Sequence, residues 1–253
     1  AVVMNVNTGA VLACATYPSY DLNTYYQNYE ALSKDTSSPL WNRALMSTYE
    51  PGSTMKPAIA VAGLEEGVIT ETSKFYCSHI YRQFTDTTFK CLGYHGWIDV
   101  KNAINQSCNI YFYETGRLLG INRMNDYCTR FGLGQKTGVE INESSGVLAG
   151  IAYREAHGGT WYPGDTVQAA IGQSDNLFTP IQLCSYVSTI ANGGTRYRAH
   201  FVKSVKSSDY SETILSNDGV VLNETGVSQN SIRIVKEGME MLGARLPAFK
   251  SLP

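Results

Sequence analysis

Ser53 and Lys56, in the sequence Ser-Thr-Met-Lys, could form a nucleophile and its base. Residues three apart on a helix share a face, so the Lys56 amine can reach the Ser53 hydroxyl. A serine attacks only when a base removes its proton, and lysine can be that base when burial or a positive dipole lowers its pKa. The pair therefore predicts nucleophilic catalysis by a serine.

The flanking residues predict where this pair lies. Pro51-Gly52 is typical of a turn, and Pro57 is tolerated only in the first turn of a helix. Ser53 is therefore expected at a helix N-terminus, where free backbone N–H groups suit an oxyanion and the helix dipole favours a neutral Lys56. The spacing alone is weak evidence, because the same pattern also occurs as a solvated helix start.

Two other segments contain polar residues that could belong to the same active site. The first is Ser107-Cys108-Asn109, which by itself is more typical of an ordinary polar turn of a helix. The second is Lys136-Thr137-Gly138, which lies among the glycines of the segment 131–140. That composition is typical of a loop rather than a strand, so we do not expect this second segment in the active site.

Composition narrows the class of protein. The chain has 253 residues, of which 43% are hydrophobic and 17% charged, as in one large domain or two closely packed subdomains. A formal net charge of −2 gives no indication of nucleic-acid binding. No stretch approaches the ~20 apolar residues of a membrane span, and the N-terminus carries no charged-then-apolar leader.

The cysteines and histidines are scattered, with no C-x-x-C and no histidine at ligand spacing, so the sequence predicts no metal site. Cys108 is expected to pack inward as a small apolar side chain, and the histidines to have structural or surface roles. Cys77 and Cys91 flank a polar, aromatic-rich segment, which leaves open a hairpin closed by a disulfide in an oxidising exterior. The six cysteines are Cys14, Cys77, Cys91, Cys108, Cys128 and Cys184.

Both helices and strands are predicted to position these residues. Alternating apolar residues predict a β-hairpin over residues 2–13, turning at Asn7-Thr8-Gly9. The region 41–192 is mainly helical in pattern, including a helix over 179–191 that begins at Thr179. Short strands are predicted within 202–222 and a helix over 231–242. The fold class is therefore α+β, with helices packed on an antiparallel sheet.

The segment 41–57 resembles the active-site serine segment of the penicillin-binding protein transpeptidases, which cross-link bacterial peptidoglycan. The resemblance covers nearly the whole chain in order and spacing, and it is therefore specific. It includes the opening hairpin, Tyr17-Pro18-Ser19-Tyr20-Asp21-Leu22-Asn23, Ser107-Cys108-Asn109, Ala170-Ile171-Gly172-Gln173, Thr179-Pro180-Ile181-Gln182-Leu183 and Ile190-Ala191-Asn192-Gly193-Gly194.

The resemblance implies a role for each candidate residue. Ser53 would attack the carbonyl of a D-Ala-D-Ala stem peptide and form an acyl-enzyme, with Lys56 as its base. Ser107 would face Ser53 across the cleft and relay a proton to the leaving amine. Asn109 would hold the substrate's backbone amide through its side chain. The family implies the β-lactamase/transpeptidase-like fold and requires neither cofactor nor metal.

It also implies an organisation and a setting. Residues 1–253 would form one transpeptidase domain with a helical subdomain over about 41–192. The family's catalytic Lys-Thr-Gly strand follows the segment matched by 248–253, so the chain is expected to lack that strand and the strands and helix beyond it. The implied ligands are peptidoglycan stem peptides and β-lactam antibiotics, with no nucleic acid. The parent protein would be membrane-anchored at the extracytoplasmic face of the bacterial membrane, among cell-wall synthesis proteins.

Two alternatives stay open at this point. A serine β-lactamase whose base is the S-x-x-K lysine shares the S-x-N pattern, although the segments 49–56 and 170–183 fit transpeptidases better. A catalytically silent penicillin sensor or scaffold would bind the drug without turning over stem peptide. Deacylation separates the first alternative, because a transpeptidase retains the penicilloyl group whereas a β-lactamase hydrolyses it quickly.

Overall fold

A computed structural model gives the structure of the protein and describes residues 1–247. Within that range no helix is long and apolar enough to cross a bilayer. The helices of the described range are α1 Tyr25–Lys34, α2 Arg43–Met46, α3 Lys56–Glu65, α4 Val100–Asn105, α5 Asn109–Leu119, α6 Ile121–Arg130, α7 Ile151–Ala156, α8 Pro163–Ala170, α9 Pro180–Ala191 and α10 Gln229–Arg245.

The strands are short and pair in antiparallel twos: β1 with β2, β3 with β6, β4 with β5, β7 with β10 and β8 with β9. Their bounds are β1 Val2–Met4, β2 Val11–Cys14, β3 Phe75–Cys77, β4 Ile80–Tyr81, β5 Phe89–Lys90, β6 Gly96–Ile98, β7 Thr195–Tyr197, β8 Ser204–Lys206, β9 Thr213–Ser216 and β10 Val221–Glu224. Helices together with antiparallel strands confirm the α+β class.

The predicted opening hairpin is present as β1 and β2. Its turn ends at Gly9, whose φ of +77° favours glycine and where a Cβ would lie 2.4 Å from the Arg198 carbonyl oxygen. The hairpin also pairs with a neighbouring segment. The Val11 N–H donates to the His200 carbonyl at 2.8 Å, and the His200 N–H donates to the Gly9 carbonyl at 3.1 Å. The chain after β7 therefore pairs with the turn end of the hairpin.

The central element is α3, which follows the candidate nucleophile. Its residues 58–62 are fully buried, and α5, α6 and α10 pack around it. Its sequence is apolar on all sides, which is the pattern of a helix enclosed by protein. The close approach of α5 depends on Gly63, where a Cβ would lie 2.8 Å from a Thr115 methyl group. The segment that holds the candidate nucleophile is thus joined directly to a rigid, enclosed helix.

The region predicted as mainly helical contains α2 to α9 but also β3 to β6, between residues 75 and 98. The pair β4 and β5 forms the hairpin suspected between Cys77 and Cys91, and both of those thiols are free. Downstream, α9 begins as predicted with Thr179 as its N-cap, and α10 is longer at both ends than the predicted helix 231–242. Residues 248–253, on which the expected loss of the Lys-Thr-Gly strand was argued, lie outside the described residues.

Candidate active site

Ser53 lies in a tight turn, residues 52–56, that we call the serine turn. Residues Gly52–Met55 form a 3-10 turn that continues directly into α3, and Pro57 lies in the first turn of that helix, as predicted. The α-helical partner of the Ser53 carbonyl would be the nitrogen of Pro57, which carries no hydrogen. The Lys56 N–H bonds this carbonyl instead, giving the 3-10 geometry. Ser53 is left exposed at the mouth of the site.

The serine turn is anchored by Gly172, which lies in the segment 170–173 that contributes to the family resemblance. The Gly52 N–H donates to the Gly172 carbonyl at 2.9 Å. A Cβ on Gly172 would lie 2.2 Å from the Gly52 carbonyl oxygen, and the φ of Gly172 is +74°. Glycine is therefore needed here for two backbone segments to meet.

Lys56 has the environment that a neutral catalytic amine requires. Its side chain is only 1% exposed, and burial lowers its pKa to about 8. Its Nζ donates to the Ser107 Oγ at 2.9 Å, to the Ser107 carbonyl at 2.8 Å and to the Asn109 Oδ1 at 2.7 Å. A lysine with this pKa can exchange a proton near neutral pH.

Ser107 stands between the nucleophile and the base. Its Oγ donates to the Ser53 Oγ at 2.9 Å and accepts from Lys56. The sequence analysis expected Lys56 to reach Ser53 directly, whereas the structure joins them through the second serine. Both bonds donate toward Ser53 when Lys56 is protonated. A neutral Lys56 accepts from Ser107 instead, and the two reversed hydrogen bonds can then carry a proton from Ser53 to Lys56.

Ser107, Cys108 and Asn109 form the connection between α4 and α5, which we call the S-x-N turn. Ser107 has a φ of +52°, a left-handed conformation uncommon for serine, and Asn109 is the first residue of α5. The Asn109 amide accepts from Lys56 and donates through Nδ2 to the Lys90 carbonyl at 3.1 Å. The side chain expected to hold substrate thus also orients the base.

Behind the S-x-N turn lies a cluster of Cys77, Cys91, His95 and Cys108, which we call the thiol–imidazole cluster. Their three sulfurs and one ring nitrogen all lie within 4.8 Å of one another. The Cys77 and Cys91 Sγ atoms are 3.4 and 3.6 Å from the His95 Nδ1, and the Cys91 and Cys108 Sγ atoms are 4.0 Å apart. The Asn109 backbone N–H donates to the Cys91 Sγ at 3.3 Å, which ties the cluster to the catalytic turn.

This donor set fits a zinc ion. Structural zinc takes three thiolates and one imidazole in a tetrahedron, and Zn–S bonds of about 2.3 Å put ligand atoms roughly 3.8 Å apart. The hydrogen bond shared with Cys108 and the bonds from backbone N–H groups outweigh burial and lower the pKa of Cys91, which favours the thiolate form that binds zinc. A bound ion would fix the S-x-N turn from behind. The sequence analysis predicted no metal site, and the fold brings together four residues that are spread over the segment 77–108.

Lys136-Thr137-Gly138 lies in a loop, as interpreted from its composition. This loop runs between α6 and α7, and the buried Glu143 carboxylate holds it. Glu143 accepts from the Thr137 N–H and hydroxyl at 3.0 and 2.8 Å and from the Gly138 N–H at 2.7 Å. These bonds give the segment a structural purpose.

The side chains of the candidate site open onto a cavity of about 440 Å³. Ser53, Lys56 and Ser107 form one wall, and Ile104, Val187 and residues of α10 form the apolar remainder. A concave, mostly apolar site with a few convergent polar groups is the usual form of a small-ligand site. The residues that α10 and the chain just after it contribute are Met239, Leu242, Gly243 and Leu246.

Comparisons with known proteins agree with this geometry. Peptidoglycan D,D-transpeptidase MrdA of Salmonella typhimurium is 34% identical over 218 residues, which is 81% of this chain. The chain spans 34% of that relative's length. The crystal structure of Pseudomonas aeruginosa PBP2 in complex with WCK 5153 has a TM-score of 0.85 at 32% identity, covering 96% of this chain and 56% of the other. PBP2 of Helicobacter pylori, in its complex with MreC, has a TM-score of 0.83 at 26% identity, covering 95% and 44%.

The family comparison covers nearly the whole of the described structure. The sequence profile described as penicillin binding protein transpeptidase domain matches residues 1–244, which include both catalytic turns and the thiol–imidazole cluster. The chain therefore belongs to the penicillin-binding protein transpeptidase domain family.

Proposed function

We propose that this chain is the catalytic domain of a peptidoglycan D,D-transpeptidase that works through an acyl-enzyme on Ser53. The observation that carries the proposal is the continuous hydrogen-bond chain from Ser53 through Ser107 to Lys56, whose pKa of about 8 leaves a usable neutral fraction. The curated relatives named as D,D-transpeptidases support the same reaction.

In the proposed acylation, the Ser53 Oγ attacks the carbonyl carbon of the penultimate D-Ala. Its proton passes to Ser107, whose own proton passes to the neutral Lys56 amine. Collapse of the tetrahedral intermediate breaks the peptide bond, and the terminal D-Ala leaves after its amine takes a proton from the Lys56–Ser107 pair. The ester on Ser53 is then attacked by an acceptor amine, which reverses the proton path.

Asn109 has two proposed tasks in this step. Its Oδ1 holds the Lys56 amine at 2.7 Å, which keeps the base aimed at Ser107. We propose that the same half-buried side chain also binds the backbone amide of the substrate. Both tasks depend on the amide group rather than on the size of the side chain.

The proposed ligands are peptidoglycan stem peptides and β-lactam antibiotics, and the proposed setting is the extracytoplasmic face of the bacterial membrane. The parent protein would act there with other cell-wall synthesis proteins. The similarity to a PBP2 solved with MreC supports partners of this kind.

The test uses the full-length gene product and a fluorescent penicillin. We expect stoichiometric labelling, an adduct located on Ser53 by mass spectrometry, and loss of labelling in Ser53→Ala. Ser33→Ala, an exposed serine on α1, is the matched control and should label normally. An adduct on another serine would overturn the assignment.

Two further measurements separate the alternatives. Release of the penicilloyl group over minutes or less would identify a β-lactamase. Stable labelling without turnover of a D-Ala-D-Ala stem peptide would identify a silent sensor. Stable labelling with turnover is the result expected of a transpeptidase.

A further inference from the structure

The helix that carries Lys56 begins without a cap of its own. Because α3 starts at Lys56, Met55 is its N-cap residue and Ala58 its third residue, whose N–H has no partner within the helix. An N-cap side chain such as serine or aspartate usually bonds this N–H, but Met55 makes no such hydrogen bond. The bond must come from elsewhere, because a buried N–H left unpaired is costly.

Tyr186 of α9 supplies that bond. Its hydroxyl accepts from the Ala58 N–H at 3.2 Å and donates to the Thr54 carbonyl at 2.9 Å. The hydroxyl therefore bridges the point at which the 3-10 turn becomes an α-helix, satisfying one orphan group on each side. The Tyr186 hydroxyl thus acts as the N-terminal cap of α3, although it belongs to α9, more than a hundred residues further along the chain.

The two bonded groups lie on either side of Lys56, and the first of them is next to Ser53. Thr54 directly follows Ser53, and Ala58 lies two residues after Lys56. A change in the separation of these two backbone groups would rotate Ser53 relative to Lys56 and disturb both contacts to Ser107. We propose that Tyr186 is a positioning residue of the acylation step, which holds the serine turn at the spacing that the Ser53–Ser107–Lys56 chain needs.

Two properties of the tyrosine suit it to this role. Its side chain is fully buried, and its ring packs edge-on against Phe131 with centroids 5.9 Å apart, so the hydroxyl has a fixed position. Burial also raises its pKa well above that of an ordinary tyrosine, so the hydroxyl remains a donor at any pH at which the enzyme works. Deprotonation of Tyr186 therefore does not break the bridge to Thr54.

The inference rests on the proposed function, and its test is Tyr186→Phe in the full-length protein. This variant keeps the ring and removes only the bridge. Stopped-flow measurement with fluorescent penicillin gives the reversible binding constant and the acylation rate constant separately. We expect acylation to slow about tenfold, equivalent to roughly 1.4 kcal/mol and within the cost of an unpaired buried group, with unchanged reversible binding.

Tyr111→Phe is the matched control. Tyr111 is as deeply buried, and its hydroxyl donates to a backbone carbonyl at Ser73 rather than in the serine turn. We expect it to lower the melting temperature without slowing acylation. Equal slowing in both variants would reduce Tyr186 to a general packing residue, and a wild-type acylation rate in Tyr186→Phe would overturn the proposal outright.

Two outcomes need separate treatment. If the wild-type protein does not label on Ser53, the proposed function fails, and that result is distinct from failure of the inference about Tyr186. If Tyr186→Phe does not fold, 4-aminophenylalanine at position 186 takes its place. Because an aryl amine is a weaker hydrogen-bonding group than a phenol, acylation should be several-fold slower at unchanged reversible binding, and a wild-type rate would contradict the proposal.

Discussion

The two catalytic turns meet at Lys56 but are supported by different chemistry. The serine turn is held by backbone contact with Gly172 and by the buried Tyr186 hydroxyl. The S-x-N turn is held by the Cys91 sulfur and, behind it, by the thiol–imidazole cluster. The first support consists of backbone and phenol groups, whereas the second consists of free thiols and an imidazole, which can be oxidised or can bind a metal ion. One site can therefore fail in two distinguishable ways.

The largest effect is expected where the two turns meet. Lys56→Ala removes the base and three hydrogen bonds to the S-x-N turn, so acylation by penicillin should slow by about 10²-fold or more. Rapid-quench labelling measures the rate, and Lys74→Ala, an exposed lysine, is the control. An unchanged rate in Lys56→Ala would show that Lys56 is not the base and that the two turns are not connected through it.

The pH dependence sharpens the role of the same amine. Burial lowers the pKa of Lys56 to about 8, so the neutral form should rise from about a tenth at pH 7 to about nine-tenths at pH 9. The acylation rate should therefore increase roughly tenfold across this interval, with its midpoint near pH 8. Labelling rates at constant ionic strength test this. A profile that is flat between pH 7 and 9 would contradict a lysine base.

Metal analysis tests the support of the S-x-N turn alone. We expect the purified full-length protein to contain one zinc ion per chain. Elemental analysis by mass spectrometry measures this content. Cys91→Ala should lose the ion, lower the melting temperature and slow acylation several-fold, because Cys91 also accepts the Asn109 N–H.

Cys128→Ala is the control for that experiment, since Cys128 is a fully buried thiol outside the cluster. It should keep the zinc and the acylation rate. Zinc-free wild-type protein with full stability would mean that the four residues act as ordinary packing groups.

The smallest effect is expected at the look-alike motif. Lys136→Ala should change acylation by less than about twofold, because Thr137 and Gly138 are bonded to the Glu143 carboxylate in a structural loop. Glu143→Gln should instead lower the melting temperature. A large loss of acylation in Lys136→Ala would indicate that this loop contributes to the active site.

The sequence predicted what local spacing determines. Ser53, Lys56 and Pro57 are close in the chain, so their common turn follows from helix geometry and from the missing proline N–H. The placement of Ser107 opposite Ser53 came only from the family resemblance, since 54 residues separate them. The insertion of Ser107 between nucleophile and base required the structure.

Other features gave no local signal. The ligand atoms of the cluster come from the ends of β3 and β5, a loop and the start of α5, so no spacing rule applies to them. The sequence pattern of α9 predicts only that Tyr186 is a buried position. Its proposed role depends on the position of its hydroxyl group in the fold, which the pattern does not give. Strands of two or three residues, such as β4 and β5, are likewise too short for an alternating pattern to reveal.

The left-handed backbone at Ser107 has a consequence for the evolution of such a site. A serine in this conformation costs of the order of 1 kcal/mol or more, and a glycine would adopt it freely. The backbone conformation taken alone would therefore favour Ser107→Gly. That change would delete the hydroxyl that joins Ser53 to Lys56 and leave the buried Lys56 amine with one acceptor fewer. The strained backbone is thus retained together with the hydroxyl that the proposed proton path needs, and a more heat-resistant variant would have to gain its stability elsewhere in the fold.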